Sequence, residues 1–323
     1  MINRRGLIAA LKLIVSIALV AFLFNQVGSE DALARLLAID PGWLAIAVAI
    51  MGLQMIICTA RWRVVLTAID APLAFWEALR FWYVGAFFNQ VLPSSVGGDV
   101  VRGYLAFKRG LSASSVFSSL FIDRLATVLA LVLLVAAMVP FMDGLQGGAW
   151  FSRVVWLTLA GAVGGTAVLM VLDRLPGSLT RFRIVRGVMG LALDARRVLL
   201  RLASGAGLMA WSLAGHVNLS VVMYALFQGL GADVAMMDCL VLFPPVLMVQ
   251  ILPVSVAGWG VREGALVARF ALVGGAPGVA LAASIVFGLA LIVVSLPGAV
   301  LWLAGGQRAL QGAENFTAKA DTI

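Results

Sequence analysis

The sequence QVLPSSVGGDVVR, residues 90–102, returns as QILPVSVAGWGVR at residues 250–262, a constant shift of 160 positions. Eight of the thirteen positions are identical, among them the proline, one serine and the final arginine. Both copies lie in a very apolar chain, although a helix that faces lipid tolerates Pro, Gly and Arg poorly. Broken, charged segments at corresponding places in two halves of a chain are typical of the binding site of a transporter.

The composition excludes an ordinary soluble domain. Of 323 residues, 63% are apolar and 12% are charged, and the mean hydropathy is +1.06. About 20 apolar residues cross a hydrocarbon core of roughly 30 Å, and such stretches fill most of the chain. We therefore expect an all-α polytopic membrane protein with a single membrane domain, residues 1–304, and a polar tail, residues 305–323, in the bacterial cytoplasmic (inner) membrane.

The net charge of +8 does not indicate a nucleic-acid partner, because the arginines cluster beside predicted helix ends, as the positive-inside rule requires. Cys58 and Cys239 stand alone in apolar segments and predict neither a disulfide nor a metal site. No motif requires a cofactor. Membrane lipids are the expected partners, and a second copy of the chain or lipid-synthesis enzymes of the same pathway are further candidates.

Apolar stretches and loop charges together predict the course of the chain. A retained first helix, rather than a cleaved signal peptide, covers residues 8–24. Repeat one, residues 43–140, comprises a helix from Trp43 to Cys58 that ends before cytoplasmic Arg61 and Arg63, a hairpin (Trp76–Leu92 and Val100–Phe107), and a crossing helix at 113–140.

A connector helix at 153–172 and a basic cytoplasmic loop at 173–203 follow. The loop holds seven Arg against two Asp, and residues 184–202 within it are either an interfacial helix on an anionic leaflet or a simple topology anchor. Repeat two, residues 206–304, has the same order of parts: a helix at 206–229, a hairpin (Met237–Leu252 and Val261–Val273), and a last helix at 279–304.

The odd connector helix inverts the second repeat relative to the first. Loop charges then put both termini in the cytoplasm and make the two broken hairpins enter from opposite faces, which is an inverted-topology repeat. The sequence leaves open whether each hairpin is re-entrant or spans the membrane. Both tips must lie against protein or water, because unpaired backbone groups are costly in lipid.

The residue types at the tips suggest an anion site. Pro93 and Pro253 end the entering helices, and Gly98 and Gly258 permit turns and close approach. Each returning helix begins near an arginine, so that its free N–H groups and a guanidinium would lie together. The neutral donors around them are Gln90, Ser94, Ser95, Gln250 and Ser255.

Two interpretations of the arginines stay open. Arg102 and Arg262 bind an anionic ligand, or they neutralise Asp99 and Glu263, by direct pairing or across the hairpins. Asp123 and Arg124, about 20 Å into the next helix at 1.5 Å per residue, either contact the hairpins or form a second headgroup or proton-coupling site. His216, the only histidine, is interpreted as a hydrogen-bonded packing residue.

The segments FNQVLPSSVGGDVVRGYLAFKRG, the later IDR and LPVSVAGWGVREGA resemble the flippase-like membrane region of lysylphosphatidylglycerol synthases, across residues 8–304. The resemblance implies translocation of a lipid between leaflets. The positions that match the family pattern are Asn89, Pro93, Ser95, Gly98, Asp99, Arg102, Asp123, Arg124, Pro253, Ser255, Gly258, Arg262 and Glu263. Only a polar tail follows Leu303 here, so we expect lipid movement without aminoacyl-lipid synthesis.

The expected function is therefore that of a non-enzymatic lipid flippase or scramblase for a polar or anionic lipid head, such as a phospholipid, an aminoacylated phospholipid or a glycolipid. A membrane-embedded lipid transferase or hydrolase is an alternative, but the sequence offers no activated nucleophile for it. An ion-coupled transporter of a small anion would use the same broken hairpins.

Overall fold

The computed structural model describes residues 21–22, 34–92, 97–142, 148–174, 182–251 and 258–304, and the regular structure within these ranges is helical. The helices, numbered along the chain, are α1 (Pro41–Ala68), α2 (Phe75–Val91), α3 (Gly97–Lys108), α4 (Ala113–Met138), α5 (Gly148–Val171), α6 (Arg183–Leu199), α7 (Leu202–Gly229), α8 (Met236–Gln250), α9 (Val261–Ala271) and α10 (Pro277–Ala304). Short 3₁₀ segments, Val139–Met142 and Leu172–Arg174, follow α4 and α5.

Five of the described helices, α1, α4, α5, α7 and α10, are long and apolar enough to cross a membrane. The chain is therefore a multi-pass membrane protein, as its composition predicts. The predicted helix at residues 8–24 and the tail at 305–323 lie outside the described residues, apart from residues 21–22.

The predicted end of the helix that starts near Trp43 is wrong. The sequence suggests that it stops at Cys58 and leaves Arg61 and Arg63 in the cytoplasm, but α1 continues to Ala68. Arg61 is a buried residue within it. A charged residue in an apolar run marks a helix end only when no counter-charge waits inside the protein, and here one does.

The contacts between helices come in matching pairs. The first set, α1 to α4, contains a hairpin of α2 and α3, and the second set, α7 to α10, contains a hairpin of α8 and α9. The long helices α1 and α7 pack against each other at the centre. The sets also interlock, because α2 packs on α10 and α8 packs on α4.

Glycines allow the closest of these approaches. A Cβ atom at Gly98 of α3 would lie 2.0 Å from the carbonyl oxygen of Gly85 in α2, and one at Gly298 of α10 would lie 2.0 Å from the carbonyl oxygen of Tyr83. Because real Cβ atoms never come so near to backbone, both faces of α2 depend on a residue without a side chain. α2 is thus held tightly between its own hairpin partner and the second set.

Helix α6 forms in the basic segment between the two sets and is amphipathic. Its apolar face, Leu191, Ala195 and Val198, is buried with Ile122 of α4 and Leu208 of α7. Ion pairs attach its far end: Arg196 to Asp173 at 2.5 Å, and Arg197 to Asp70 at 3.1 Å. The predicted helix in this segment is thereby observed, packed along the bundle.

Candidate functional site: a cavity between the two sets of helices

A hydrogen bond joins the two helices of the first hairpin just before the predicted binding residues. Asn89, near the end of α2, accepts a hydrogen bond through its side-chain oxygen from the N–H of Gly98 at 2.8 Å. This satisfies one of the free N–H groups in the first turn of α3. The amide of Asn89 therefore fixes the position from which Asp99 and Arg102 project.

A buried network of charges connects the first hairpin to α1 and α4. Arg102 donates to Asp99 at 3.1 Å and to Asp123 of α4 at 2.8 Å. Asp123 also accepts two hydrogen bonds from Arg61 of α1, at 2.7 and 3.3 Å. Asp123 is 0% exposed and Arg102 is 1% exposed, so this carboxylate bridges two guanidinium groups with almost no help from solvent.

Arg124 extends the network toward an open space. Its guanidinium donates to the second oxygen of Asp99 at 2.5 Å, and its side chain is half exposed. Three guanidinium and two carboxylate groups give this cluster a formal charge of +1. Of the three arginines in this cluster, Arg124 is the exposed one, so the excess positive charge faces solvent at Arg124.

Aromatic rings enclose Arg102. Its guanidinium carbon lies 4.0 Å from the ring centre of Trp82 and 4.7 Å from that of Trp62, distances at which the ring faces stabilise a cation. The Nη1 atom of Arg102 has no hydrogen-bond partner among the described residues. Arg102 is thus a bridge within the protein wall, rather than a group that projects into the cavity.

The second hairpin contains a smaller, separate network. Arg262 donates to Glu263 at 2.6 Å and to Ser284 of α10 at 2.9 Å, and Ser284 in turn donates to Glu263 at 3.0 Å. Glu263 also accepts from the N–H of Gly260 at 2.5 Å. Both charged residues are at most 1% exposed, and their charges cancel.

Gly258 and Gly260 form the turn before α9, with φ of +83° and +85°. Residues with a side chain rarely adopt this backbone conformation, whereas glycine does so at little cost. The turn gives Glu263 access to the N–H of Gly260 and brings Gly258 against the side chain of Gln250. The second hairpin therefore combines this glycine turn with one buried ion pair, whereas the first has a larger network of ion pairs.

A cavity of about 350 Å³ lies between the two sets of helices. Its wall is built by α1, α2, α4, α7, α8 and α10 and by Gly258 of the second hairpin turn. Its polar wall residues are Gln54, Arg61, Trp82, Asn89, Gln90, Arg124, Thr127, Ser212, His216, Gln250 and Ser295.

Predicted site residues occupy three distinct places. Asn89, Gln90, Arg124, Gln250 and Gly258 line the cavity.

Behind the cavity, Gly98, Asp99, Arg102 and Asp123 form or support the buried network of the first hairpin. Arg262 and Glu263 pair within the second set, and the binding of an anionic ligand by Arg102 and Arg262 stays a prediction. Arg102 pairs directly with Asp99, and Arg262 pairs directly with Glu263, as the alternative interpretation predicts. Pro93, Ser94, Ser95, Pro253 and Ser255 lie outside the described residues.

Several wall residues escape prediction from the sequence. Gln54, Cys58 and Arg61 follow one another at i, i+4 and i+7 along α1, a spacing that puts side chains on one face of a helix. This polar stripe could have predicted a polar wall, but a helix that ends at Cys58 excludes Arg61 from it. Trp82 and Thr127 carry no comparable signal.

His216 holds the wall of the cavity together. Its Nε2 atom lies 3.0 Å from the carbonyl oxygen of Thr127 in α4, while Asn218 donates to Ile50 and Gln54 of α1. The Nδ1 atom of His216 is buried without a partner among the described residues. The hydrogen bond expected of His216 is therefore observed.

Cys58 and His216 lie in the same wall, a proximity that the sequence does not reveal. Their observed partners are elsewhere: the Cys58 sulfur is 3.6 Å from the amide nitrogen of Gln54, and His216 binds Thr127. In the described part of the chain, no group of three or more His, Cys, Asp or Glu residues is arranged to hold a metal ion.

The sequence can be compared with those of known proteins. The family described as the lysylphosphatidylglycerol synthase TM region matches residues 9–298. A UPF0104 membrane protein of Methanothermobacter thermautotrophicus is 24% identical over 319 residues, covering 88% of each chain. A UPF0104 membrane protein of Pyrococcus horikoshii is 25% identical over 165 residues, covering 50% of this chain and 47% of its own length. This chain therefore belongs to the lysylphosphatidylglycerol synthase TM region family.

Proposed function

We propose that this protein is a lipid flippase or scramblase that moves a polar-headed lipid between the leaflets of a cytoplasmic membrane. The observation that carries the proposal is a cavity with polar side chains in its wall, which both sets of helices contribute. Polar groups in a cavity among apolar helices provide a path for a head group that the hydrocarbon core excludes, while the acyl chains stay in lipid.

An inverted repeat explains how such a cavity could open to either side. The 160-residue shift and the matching helix contacts support two related sets, and loop charges favour opposite orientations with both termini in the cytoplasm. At 1.5 Å per residue, α3 is about 18 Å long and α9 about 16 Å, short of a hydrocarbon core of roughly 30 Å. These lengths favour re-entrant hairpins.

The two hairpins are unequal, which suggests which one moves. The first is fixed by the Gly85–Gly98 contact and by five charged residues. The second has Pro244 and Pro245 inside α8 and two left-handed glycines in its turn. Prolines remove helix hydrogen bonds and permit bending. We therefore expect the second hairpin to move against a rigid first one.

A lipid-modifying enzyme is the second candidate, because Cys58 and His216 share the cavity wall. Nucleophilic catalysis needs a base within hydrogen-bond reach of the thiol, and the observed partners of both residues are other groups. Incubation with extracted lipids and mass spectrometry would test it. A new lipid product that disappears in Cys58→Ala would favour the enzyme.

Leaflet exchange in proteoliposomes tests the transport proposal. We expect the protein to accelerate movement of a fluorescent phosphatidylglycerol far above protein-free vesicles. Arg124→Gln should slow it by about tenfold, because hydrogen bonds to charged groups contribute about 1.5–3 kcal/mol.

Arg197→Gln is the matched control, since Arg197 is also half exposed and paired with an aspartate, but it lies on α6. Exchange equal to that in protein-free vesicles would refute the proposal. Uptake of soluble phosphate without lipid exchange would favour a small-anion transporter instead.

A further inference from the structure

We infer that the cavity selects a lipid head that is rich in hydroxyl groups and carries at most an anionic phosphodiester, and that it rejects heads with a cationic group such as an aminoacyl ester. The inference rests on the proposed function and narrows its substrate class. It follows from the chemistry of the cavity wall, which combines many neutral hydrogen-bonding groups with an excess of positive charge.

Amides are the most numerous polar groups in the wall. Four of them, on Gln54, Asn89, Gln90 and Gln250, come from α1, α2 and α8. The amides of Gln90 and Gln250 have no hydrogen-bond partner among the described residues. An amide offers two donor hydrogens and an acceptor oxygen, which is the complement that a hydroxyl group, both donor and acceptor, requires.

Hydroxyl side chains in the wall add acceptors. The hydroxyl hydrogens of Thr127, Ser212 and Ser295 are donated to carbonyl oxygens of their own helices. Ser212 and Ser295 are at most 1% exposed, whereas Thr127 is partly exposed and keeps lone pairs for a ligand. A polyol head could thus donate to the Thr127 oxygen and accept from the amides without any change in the helices.

Two buried polar atoms of wall residues lack partners among the described residues. They are the Nε1 atom of Trp82 and the Nδ1 atom of His216. Since Nε2 of His216 faces a carbonyl oxygen, it must donate, and Nδ1 is left as an acceptor. Leaving such atoms unsatisfied is costly. Trp82 lacks an acceptor and His216 lacks a donor, and a hydroxyl group is a neutral group that can act as either.

No carboxylate lines the cavity in the described part of the chain. The hairpin tips outside it, PSSV at 93–96 and LPVSVA at 252–257, contain no acidic residue either. The nearest acids, Asp99 and Asp123, each already accept from two arginines. A cationic head would therefore meet Arg124 and find no free counter-charge, which is expensive inside a membrane protein.

The size of the cavity agrees with a head group as the ligand. Its volume of about 350 Å³ is near the lower end of the range for ligand pockets, about 300–1,000 Å³. One small polyol with its phosphate fits that range, whereas a whole lipid does not.

A panel of lipids with identical acyl chains tests the inference in proteoliposomes. Phosphatidylglycerol and lysyl-phosphatidylglycerol share a polyol phosphate and differ only in the added cationic aminoacyl group. We expect exchange of phosphatidylglycerol to be faster by about tenfold or more, because the cation would be buried without a counter-charge. Phosphatidylinositol, with more hydroxyl groups, should move at least as fast as phosphatidylglycerol.

Gln90→Glu introduces the missing acid and should raise the relative rate of lysyl-phosphatidylglycerol by about tenfold. Gln228→Glu is the control, since Gln228 makes its hydrogen bond to Val234 outside the cavity. Equal or faster movement of lysyl-phosphatidylglycerol in the unmodified protein would overturn the inference and leave the flippase proposal intact. An unchanged ratio in Gln90→Glu would overturn the charge argument, and movement of no lipid would refute the proposed function itself.

Discussion

Replacement of Asp123 by asparagine should strongly destabilise the protein, because this carboxylate is the observed ion-pair partner of Arg61. Arg61 donates to it through two nitrogens, and the side chains of the pair are 6% and 1% exposed. Arg102 retains Asp99 in the variant, whereas Arg61 becomes a buried cation without a carboxylate. Breaking a buried pair on one side costs about 3–5 kcal/mol, and we expect a loss of unfolding free energy in that range.

Thermal and denaturant unfolding in detergent, followed by tryptophan fluorescence, would measure this loss. Removing both charges, in Arg61→Gln with Asp123→Asn, should recover part of it, and the difference is the coupling energy of the pair. Asp70→Asn is the matched control, because Asp70 is 83% exposed in its pair with Arg197 and surface pairs contribute about 0–1 kcal/mol. Asparagine also tolerates the φ of +59° at this position.

The reasoning fails under either of two results. One is an Asp123→Asn protein as stable as Asp70→Asn. The other is a double variant whose loss equals the sum of the two single losses, since the two side chains would then act independently. A loss of transport without a loss of stability would instead indicate that Asp123 acts on the ligand.

Three further predictions concern other parts of the chain. Gly98→Ala should prevent correct folding, because its Cβ would lie 2.0 Å from the Gly85 carbonyl oxygen, whereas Gly187→Ala, with open space around it, should behave as the unmodified protein in size-exclusion chromatography. Pro244→Ala with Pro245→Ala should restore hydrogen bonding in α8 and slow leaflet exchange without lowering the unfolding temperature. Pro277→Ala, at the first position of α10, is the control and should change neither property. Exchange at the normal rate in the double variant would argue against a hinge in α8. A water-soluble thiol reagent should label Cys58, which is 8% exposed in the cavity wall, faster than Cys239, which is 1% exposed in the core. Mass spectrometry of the labelled protein distinguishes the two cysteines. Equal labelling rates would contradict the assigned position of the cavity.

The repeat and the apolar periodicity predict the order of the helices well, because both can be read from the sequence without knowing which helices are in contact. α2, α4, α7 and α9 begin within four residues of their expected starts. The end of α1 is different. An arginine after an apolar run usually faces the cytoplasm, and here the distant Asp123 makes its burial tolerable.

The site is predicted in composition more than in geometry. Helix periodicity does not say which neighbour each face will meet. Asp123 and Arg124 are adjacent in sequence, yet the first is 0% exposed and the second has a half-exposed side chain at the cavity. The repeat aligns Arg102 with Arg262, but the sequence also shows that the tips are unequal, since Asp99 has no acidic counterpart at Trp259. In the structure the two networks differ in charge and extent.

The Arg61–Asp123 pair also constrains how the chain is synthesised and inserted. The two residues are 62 positions apart, which is about 3–12 s of translation at roughly 5–20 residues per second. During that interval α1 must enter the membrane with an arginine whose partner has not been made, at an insertion cost of at most about 2.5–3.5 kcal/mol, the value for a helix centre. The first hairpin is completed before α4 arrives, so α1 is secured only after α4 has been synthesised. A nascent chain that stops short of α4 therefore lacks the carboxylate that pairs with Arg61.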